Sequence, residues 1–382
     1  MGFKMWIWQQ QDWPKFRYDE KLLKTLEDTY LHQSGIFQGT LRHLSQENKT
    51  QLIIDLISDE ALKTSEIEGE FLNRDSLQSS IRRHFGLHSE HSRILPAEQG
   101  ISDMMVDLYH HFDRRLSHED LFSWHRMVMN GRTNIHDIGK YRMHHEPMQV
   151  VSGYYNAFKV HYEAPPSEIM MPQMEQFIGW FNKTSPLNAA LPVTSDAHIS
   201  LPSLTRASLA HLYFVLIHPF EDGNGRIGRA LSEKCLSQSL GQPTLISLST
   251  IIQNKKKEYY DALSSSNRDM EITPWIAYFS QTILDAQLYS QDLINFVIEK
   301  TKFYDRIKGK MNERQEKVIA RLFREGPEGF KGGLSAENYI RITGTSRATA
   351  TRDLQNLLEN GVLAREGDLK STRYYLRIGS RR

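Results

Sequence analysis

Residues 218–229 read His-Pro-Phe-Glu-Asp-Gly-Asn-Gly-Arg-Ile-Gly-Arg, and few other stretches of the chain concentrate as much reactive chemistry. His218 offers a base, Asp222 a ligand for a divalent cation, and Arg226 and Arg229 two guanidinium forks. Their spacing lets both arginines share one face of a helix, and a planar guanidinium suits phosphate oxygens. Gly223 and Gly225 let the chain turn sharply and bring backbone N–H groups close to a ligand. Where such a loop feeds a helix, unpaired N–H groups and the positive end of the helix dipole collect at one place. That is an anion site, and phosphate is its usual occupant. Asp222 together with substrate phosphates would suit Mg²⁺, which takes one or two carboxylates beside phosphate oxygens. His218 stands where it could take the proton of a hydroxyl attacking that phosphate. The residues therefore point to phosphoryl or nucleotidyl transfer to a hydroxyl.

Two other readings share these residues. Gly223, Gly225 and Gly228 fit G-x-G-x-x-G, and 213–217 could pass for the strand of a dinucleotide-binding unit. That motif needs a βαβ unit and an acidic residue about twenty positions on, whereas Gln242-Pro243-Thr244 and a polar stretch follow here. The other reading is a purely structural turn, with a core histidine and surface arginines.

The stretch resembles the signature of the Fic family, H-P-F-x-[D/E]-G-N-G-R-x-x-R, at every specified position. The resemblance implies a mainly α fold, a Fic-type helical core with a β-hairpin flap. It also implies roles. His218 would activate a target hydroxyl and Asp222 would bind Mg²⁺ on the nucleotide phosphates. Gly223, Asn224 and Gly225 would line the anion hole, and Arg226 and Arg229 would hold the β- and γ-phosphates. Most of the family transfers AMP from ATP to a Ser, Thr or Tyr hydroxyl and releases pyrophosphate.

The remaining motifs take their meaning from that signature. Thr64, Glu68 and Gly69 resemble the Fic inhibitory motif [S/T]-x-x-x-E-[G/N] on the N-terminal side of the core. Thr64 and Glu68 fall on one helix face. The resemblance implies that Glu68 pairs with Arg229 and displaces the γ-phosphate, and a misalignment of that order costs about a hundredfold in rate. Gly139-x-Tyr141-Arg142 opens a stretch, 139–153, that resembles the Fic flap, on which a target peptide docks as an added strand. His144 and His145 near its tip read as exposed. Tyr259, Tyr260 and Asn267 match positions that line the adenine pocket in the family.

The elements that must position these groups are helical. Apolar spacing predicts helices over 20–34, 36–44, from 48 to the inhibitory stretch, 102–116, 121–130, 170–181, 255–263 and 274–292. Asp120 completes a capping box with Ser117. The run 204–217 fits either strand or helix by propensity, and the resemblance makes it the central buried helix. His118, Glu119 and His125 lack the spacing of a zinc site. Trp6, Trp8 and Trp13 are expected to pack an extended arm against the body.

At the C-terminus helices are predicted over 316–324, 334–340 and 346–360, with Thr343-Gly344-Thr345 as the turn between the last two. A hairpin of 363–367 with 372–376 follows. The order resembles a winged helix-turn-helix, in which Arg347 and Arg352 would meet DNA and Lys370 and Arg373 would touch phosphates. Acids at Asp353, Glu359, Glu366 and Asp368 dilute that field, and a protein-binding or dimerising module fits as well. The domains expected are a helical region over 1–100 with the inhibitory helix, a Fic core over 101–300, and the winged module over 301–382.

The chain has 382 residues, 39% hydrophobic and 24% charged, with a net charge of +1. Such a balance argues against a protein that is basic throughout. The single cysteine, Cys235, leaves no internal disulfide and suits a reducing compartment. No apolar run suits a membrane span, and the aromatic opening is too short for a signal peptide, so the cytoplasm is expected. The expected activity is protein adenylylation with ATP and Mg²⁺, self-modification included, restrained by Glu68. A homodimer is expected from the family. The alternatives are removal of AMP from a modified target, and a DNA-binding regulator whose core senses nucleotide.

Overall fold

A computed structural model describes residues 5–88, 94–152, 159–187, 201–326 and 329–378. The fold is mainly helical. In order come α1 (Glu20–Arg42), α2 (Gln46–Ile67), α3 (Arg74–His84), α4 (Pro96–His110) and α5 (His118–Val128). A hairpin follows, β1 (Gln149–Ser152) antiparallel to β2 (Lys159–Glu163), with Gln149 opposite Glu163 and a register shift between Val150 and Val151. Next are α6 (Met170–Lys183), α7 (Ser203–Ile217), α8 (Asn224–Leu240), α9 (Leu248–Asn254), α10 (Lys256–Ser265) and α11 (Thr273–Ile307). The chain closes with α12 (Glu313–Phe323), α13 (Ala336–Thr343), α14 (Arg347–Glu359) and the hairpin β3 (Leu363–Glu366) with β4 (Arg373–Leu376).

Several boundaries differ from the sequence reading. The helices expected over 20–34 and 36–44 are one, α1. Glycine in a helix interior costs about 1 kcal/mol, yet Gly35 and Gly39 sit inside α1 because Leu23, Tyr30 and Phe37 bury one continuous stripe. The helix expected over 102–116 starts at Pro96, whose fixed φ suits a first helical turn, and ends at His110. The helix expected over 274–292 runs on to Ile307. α3 and α9 had no counterpart in the reading; Asn73 caps α3 by accepting from the Ser76 N–H at 2.9 Å. Gly153, the last residue of the stretch read as the flap, lies outside the described residues, as does the Lys370 side chain.

The chain divides into two compact units, one of Met1–Gly39 with Ile53–Ser290, the other of Thr40–Leu52 with Gln291–Arg382. In the first, α7 is central: from Leu204 to Phe214 every residue is buried. Helix wins there over the strand propensity of 213–217 because a helix satisfies its own backbone groups in an apolar setting. The start of α7 still needs acceptors. Glu27 of α1 supplies them, taking the N–H groups of Leu204 at 3.0 Å and Thr205 at 2.8 Å. The Trp275 indole donates to the Ser208 carbonyl at 2.8 Å, fastening α11 to α7. The N-terminal arm also packs as expected. Trp8 donates to the Glu163 carbonyl and Trp13 to Gln173, both at 2.7 Å, and Trp6 meets Tyr162 edge-on.

In the second unit Ile319, Leu322, Tyr339, Leu354, Leu357 and Val362 form the core. Gly344 at φ 71° makes the turn between α13 and α14, and Leu363 pairs with Leu376 across the hairpin. Asp353, read as a surface acid, is instead a buried strut. It accepts from Arg314 Nε at 2.9 Å, Tyr339 Oη at 2.9 Å and Asn312 Nδ2 at 3.1 Å. Among the described residues no helix is long and apolar enough to cross a membrane.

Candidate active site

The loop from His218 to Gly223 joins α7, which buries its whole circumference, to α8, and the two helices pack together. His218 ends α7 in the left-handed region, φ 52° and ψ 59°. Such a backbone costs a non-glycine residue about 1–2 kcal/mol, so something must hold it. The Arg142 guanidinium donates to the His218 carbonyl at 2.9 Å, and the Arg142 N–H donates to the Pro219 carbonyl at 3.0 Å. Asn224 fixes the other side of the loop. Its side chain accepts from the Phe220 N–H at 3.0 Å and donates to the Phe220 carbonyl at 2.8 Å. The Phe220 ring stacks on His125, with centroids 4.1 Å apart.

The His218 ring is partly buried, with Nδ1 3.2 Å from the Val215 carbonyl. A carbonyl only accepts, so Nδ1 carries the proton and Nε2 keeps its lone pair. Burial first, and the nearby Arg142 charge with it, pull the imidazole down to about 4 against the Val215 bond and the Glu68 and Asp222 charges. The ring is a neutral base near pH 7.

Arg226 and Arg229 point inward and are 2% and 1% exposed. Two buried guanidinium nitrogens, Arg226 Nε and Arg229 Nη1, have no partner. Orphaned buried donors are costly, and here they sit at the start of α8, where the first-turn N–H groups also face outward. Asp222 lies at the mouth, with Oδ1 accepting from the Gly223 N–H at 2.5 Å and facing Arg226 Nη2 at 3.2 Å. Gly223, at φ 84°, is where the chain turns into the helix.

Acids from the turn after α2 fill part of this space. Thr64 Oγ1 accepts from Arg229 Nε at 2.7 Å, and its carbonyl accepts from Nη2 at 2.9 Å. Glu68 Oε1 pairs with Arg229 Nη2 at 2.8 Å. Burial alone would lower the Arg229 guanidinium, and the Glu68 carboxylate, with Tyr259 and Tyr260 beside it, turns that into a rise. Gly69, at φ 83°, turns the chain. Gly225 makes room for the acid, since a Cβ there would fall 2.1 Å from Glu68 Oε1.

The expected base-pocket residues do not all face the same space. Tyr259 is buried with its hydroxyl 2.7 Å from His211 Nε2. Tyr260 is 40% exposed and reaches the Ile67 carbonyl at 3.5 Å. Asn267 is buried and donates to the His161 carbonyl of β2 at 2.8 Å. His118, Glu119 and His125 separate. They meet Tyr141, Arg126 and the Gly139 N–H respectively, and no group of three metal-ligating side chains occurs among the described residues. His144 and His145 engage Glu146 and Glu168. The sequence reading passed over Glu70, which pairs with Arg226 at 2.7 Å and Arg132 at 3.1 Å; its place two residues after Glu68 was the available signal. It also passed over the Arg142 contact with His218.

A model of the Fic/DOC family matches residues 115–236, and a domain of unknown function, DUF4172, matches residues 6–87. Protein adenylyltransferase fic-1 of Caenorhabditis briggsae is 24% identical over 268 residues, 69% of this chain and 45% of that protein. Protein adenylyltransferase Fic of Drosophila melanogaster is 25% identical over 284 residues, 71% of this chain and 49% of that protein. The chain thus spans less than half the length of these curated relatives. In fold it resembles a Fic family protein from Desulfovibrio desulfuricans G20, with a TM-score of 0.51 at 18% identity, over 95% of this chain and 98% of that one.

Proposed function

Because residues 115–236 carry a Fic/DOC domain, we propose that the chain is a protein adenylyltransferase restrained by its own Glu68. The observation that carries this reading is the convergence of a neutral His218 and two orphaned arginine donors on one helix start. In the reaction the oxygen of a Ser, Thr or Tyr hydroxyl attacks the α-phosphorus of ATP. His218 Nε2 takes the hydroxyl proton, the bond from Pα to the bridging oxygen breaks, and pyrophosphate leaves. Arg226 and Arg229 bind the β- and γ-phosphates, and the first turn of α8 receives the α-phosphate. A single carboxylate, Asp222, fits Mg²⁺ only as an ion shared with substrate phosphates. When bound it would neutralise phosphate charge.

Glu68 competes with phosphate for Arg229, which supports autoinhibition from the N-terminal side. The hairpin β1–β2 is the surface on which a target peptide would add a strand. In the second unit the order α12, α13, α14, β3, β4 supports a winged helix-turn-helix. Arg347 at the start of α14 is 81% exposed and 3.7 Å from Glu337. DNA contact through Arg347 and Arg352 predicts that the full chain retains labelled duplex DNA and that Arg347→Ala weakens retention.

The deciding experiment uses ATP labelled on the α-phosphate, with Mg²⁺, on the wild type, Glu68→Gly and Glu68→Gly/His218→Ala. Strong labelling of the chain or of lysate proteins by Glu68→Gly alone is the expected result. Absence of label in every form overturns transfer, and AMP release from a modified protein would then be measured. Equal labelling with and without His218 overturns its role as base.

A further inference from the structure

The turn after α2 sends a second carboxylate into the same site. Glu70 lies two residues beyond Glu68, and its Oε2 is 2.7 Å from Arg226 Nη1 while its Oε1 is 3.1 Å from Arg132 Nη2. One carboxylate thus spans two guanidinia, one oxygen to each, as phosphate oxygens do. Its side chain is 18% exposed, against 2% for Arg226 and 35% for Arg132. The backbone enforces the arrangement. Gly69 at φ 83° reverses the chain, and the Gly69 and Glu70 N–H groups, each 3.0 Å from its acceptor, close back on the Glu66 and Ser65 carbonyls. Glu68 and Glu70 are therefore carried on one fixed turn and reach the two signature arginines separately. Arg132 is delivered by its own device: Gly131 at φ 84°, where a Cβ would fall 2.8 Å from Pro96 Cβ.

We infer that Glu70 is a second anion mimic in the phosphate site, and that Arg132, which it holds, is a third guanidinium for the polyphosphate of a nucleoside triphosphate. The inference rests on the reading of this site as a nucleotide phosphate site. Charge supports it. Arg132, Arg226 and Arg229 face Glu68, Glu70 and Asp222, so a polyphosphate that enters with the acids in place meets a site already neutralised. Removing Glu68 takes the acid from Arg229, which Thr64 still holds, and leaves Arg226 still engaged by Glu70. Withdrawing Glu70 takes its carboxylate from Arg226 and Arg132 together and leaves Arg226 only its contact with Asp222. One movement of the turn would thus expose three cations at once, whereas substitution of either acid alone exposes only part of the site.

The opposing reading is that Glu70 orients Arg226 for phosphate, and it predicts the opposite sign. Isothermal titration calorimetry of ATP and, separately, of inorganic pyrophosphate with the full chain separates them. The forms are wild type, Glu68→Gly, Glu70→Gln and Glu70→Gln/Arg132→Met. With Glu70 as mimic, Glu70→Gln tightens both anions about tenfold, as expected for removing one competing charge from a partly buried pair. Arg132→Met in that background then cancels most of the gain. Unchanged or weaker binding by Glu70→Gln overturns the inference and makes Glu70 a positioning residue. Unaltered binding on adding Arg132→Met overturns the role given to Arg132. If neither anion binds any form, Glu68→Gly included, while circular dichroism reports native helix content, the phosphate site itself is disproved and the inference falls with it.

Discussion

The Arg142 guanidinium donates a 2.9 Å hydrogen bond to the carbonyl of His218, whose backbone stands at φ 52°. Arg142 is 1% exposed and reaches the Pro165 carbonyl beyond β2 as well. Burial pulls its guanidinium down to about 10, so the charge is kept where it is expensive to keep. It has two effects on His218: it holds the left-handed backbone, and it disfavours the imidazolium. In a Glu68→Gly background, Arg142→Met is expected to lower transfer about ten- to a hundredfold while ATP still binds, because a base displaced by about an ångström loses that much. The acid limb of the pH–rate profile should also move to higher pH, since a positive neighbour has gone. Arg142→Lys should restore the acid limb more than the rate. An unmoved acid limb would leave Arg142 a structural role only.

Two further histidines make the fold acid-sensitive. His125 and His211 are fully buried, and burial pulls them to about 4 and about 3. A histidine with a depressed folded pKa is neutral in the fold and protonated in the unfolded chain once the pH drops below its usual 6.5. Stability from these groups is complete above that value and is lost as pH falls toward the folded pKa. With two extra protons bound by the unfolded state, the slope approaches roughly 3 kcal/mol per pH unit. Thermal unfolding followed by circular dichroism should show Tm falling steeply from pH 6 to pH 4.5. A flat Tm across that range would mean the two rings are not neutral and buried together.

The site was more legible in the sequence than the surroundings that control it. The signature depends on local spacing, so His218, Asp222, Arg226 and Arg229 could be placed from residues alone. Thr64 and Glu68 were legible only through their resemblance to the Fic inhibitory motif, since composition alone makes that stretch an acidic surface turn. The contacts of Glu27, Glu70, Arg132 and Arg142 were not, since each acts on a residue far away in the chain, and the local patterns around Glu70 and Arg142 do not name those partners. The same holds for α7. Its 213–217 segment carries strand propensity, and only its position among α8, α11 and α6 decides for helix. Asp353 shows the reverse error, because an acid on a polar-looking helix gives no sign in sequence that Arg314, Tyr339 and Asn312 converge on it.

Thr64 is the quieter half of the clamp on Arg229. Its hydroxyl accepts from Nε at 2.7 Å, while its backbone carbonyl and Glu68 share Nη2. Thr64→Val keeps the shape and removes the hydroxyl acceptor, leaving the buried Nε without its partner. A hydrogen bond to a charged group is worth about 1.5–3 kcal/mol, so the closed state should lose part of its advantage. Labelling from α-phosphate-labelled ATP should rise about tenfold above wild type and stay below Glu68→Gly. Labelling at the wild-type level would show that Glu68 and the backbone hold Arg229 without help.

Behind that clamp, Glu60 of α2 and Glu233 of α8 act on one another in the interior. They are 3% and 6% exposed. Ser249 donates its N–H to Glu60 at 2.8 Å, and the Arg229 charge favours ionisation of both acids. Burial nevertheless raises both carboxyls, Glu233 well above its ordinary value, and Glu60 raises it further. A carboxyl with a raised folded pKa keeps its proton in the fold and releases it on unfolding. Its stabilisation is therefore complete below the unfolded pKa and declines, by about 1.4 kcal/mol per pH unit for one held proton, as pH rises toward the folded pKa. Glu233→Gln keeps the shape and a donor for Glu60 without a proton to lose. It is expected to raise Tm at pH 8 by several degrees, with a smaller effect near pH 5. A Tm lowered equally at both values would mean that the pair carries no trapped proton and that α2 is held to α8 by other contacts.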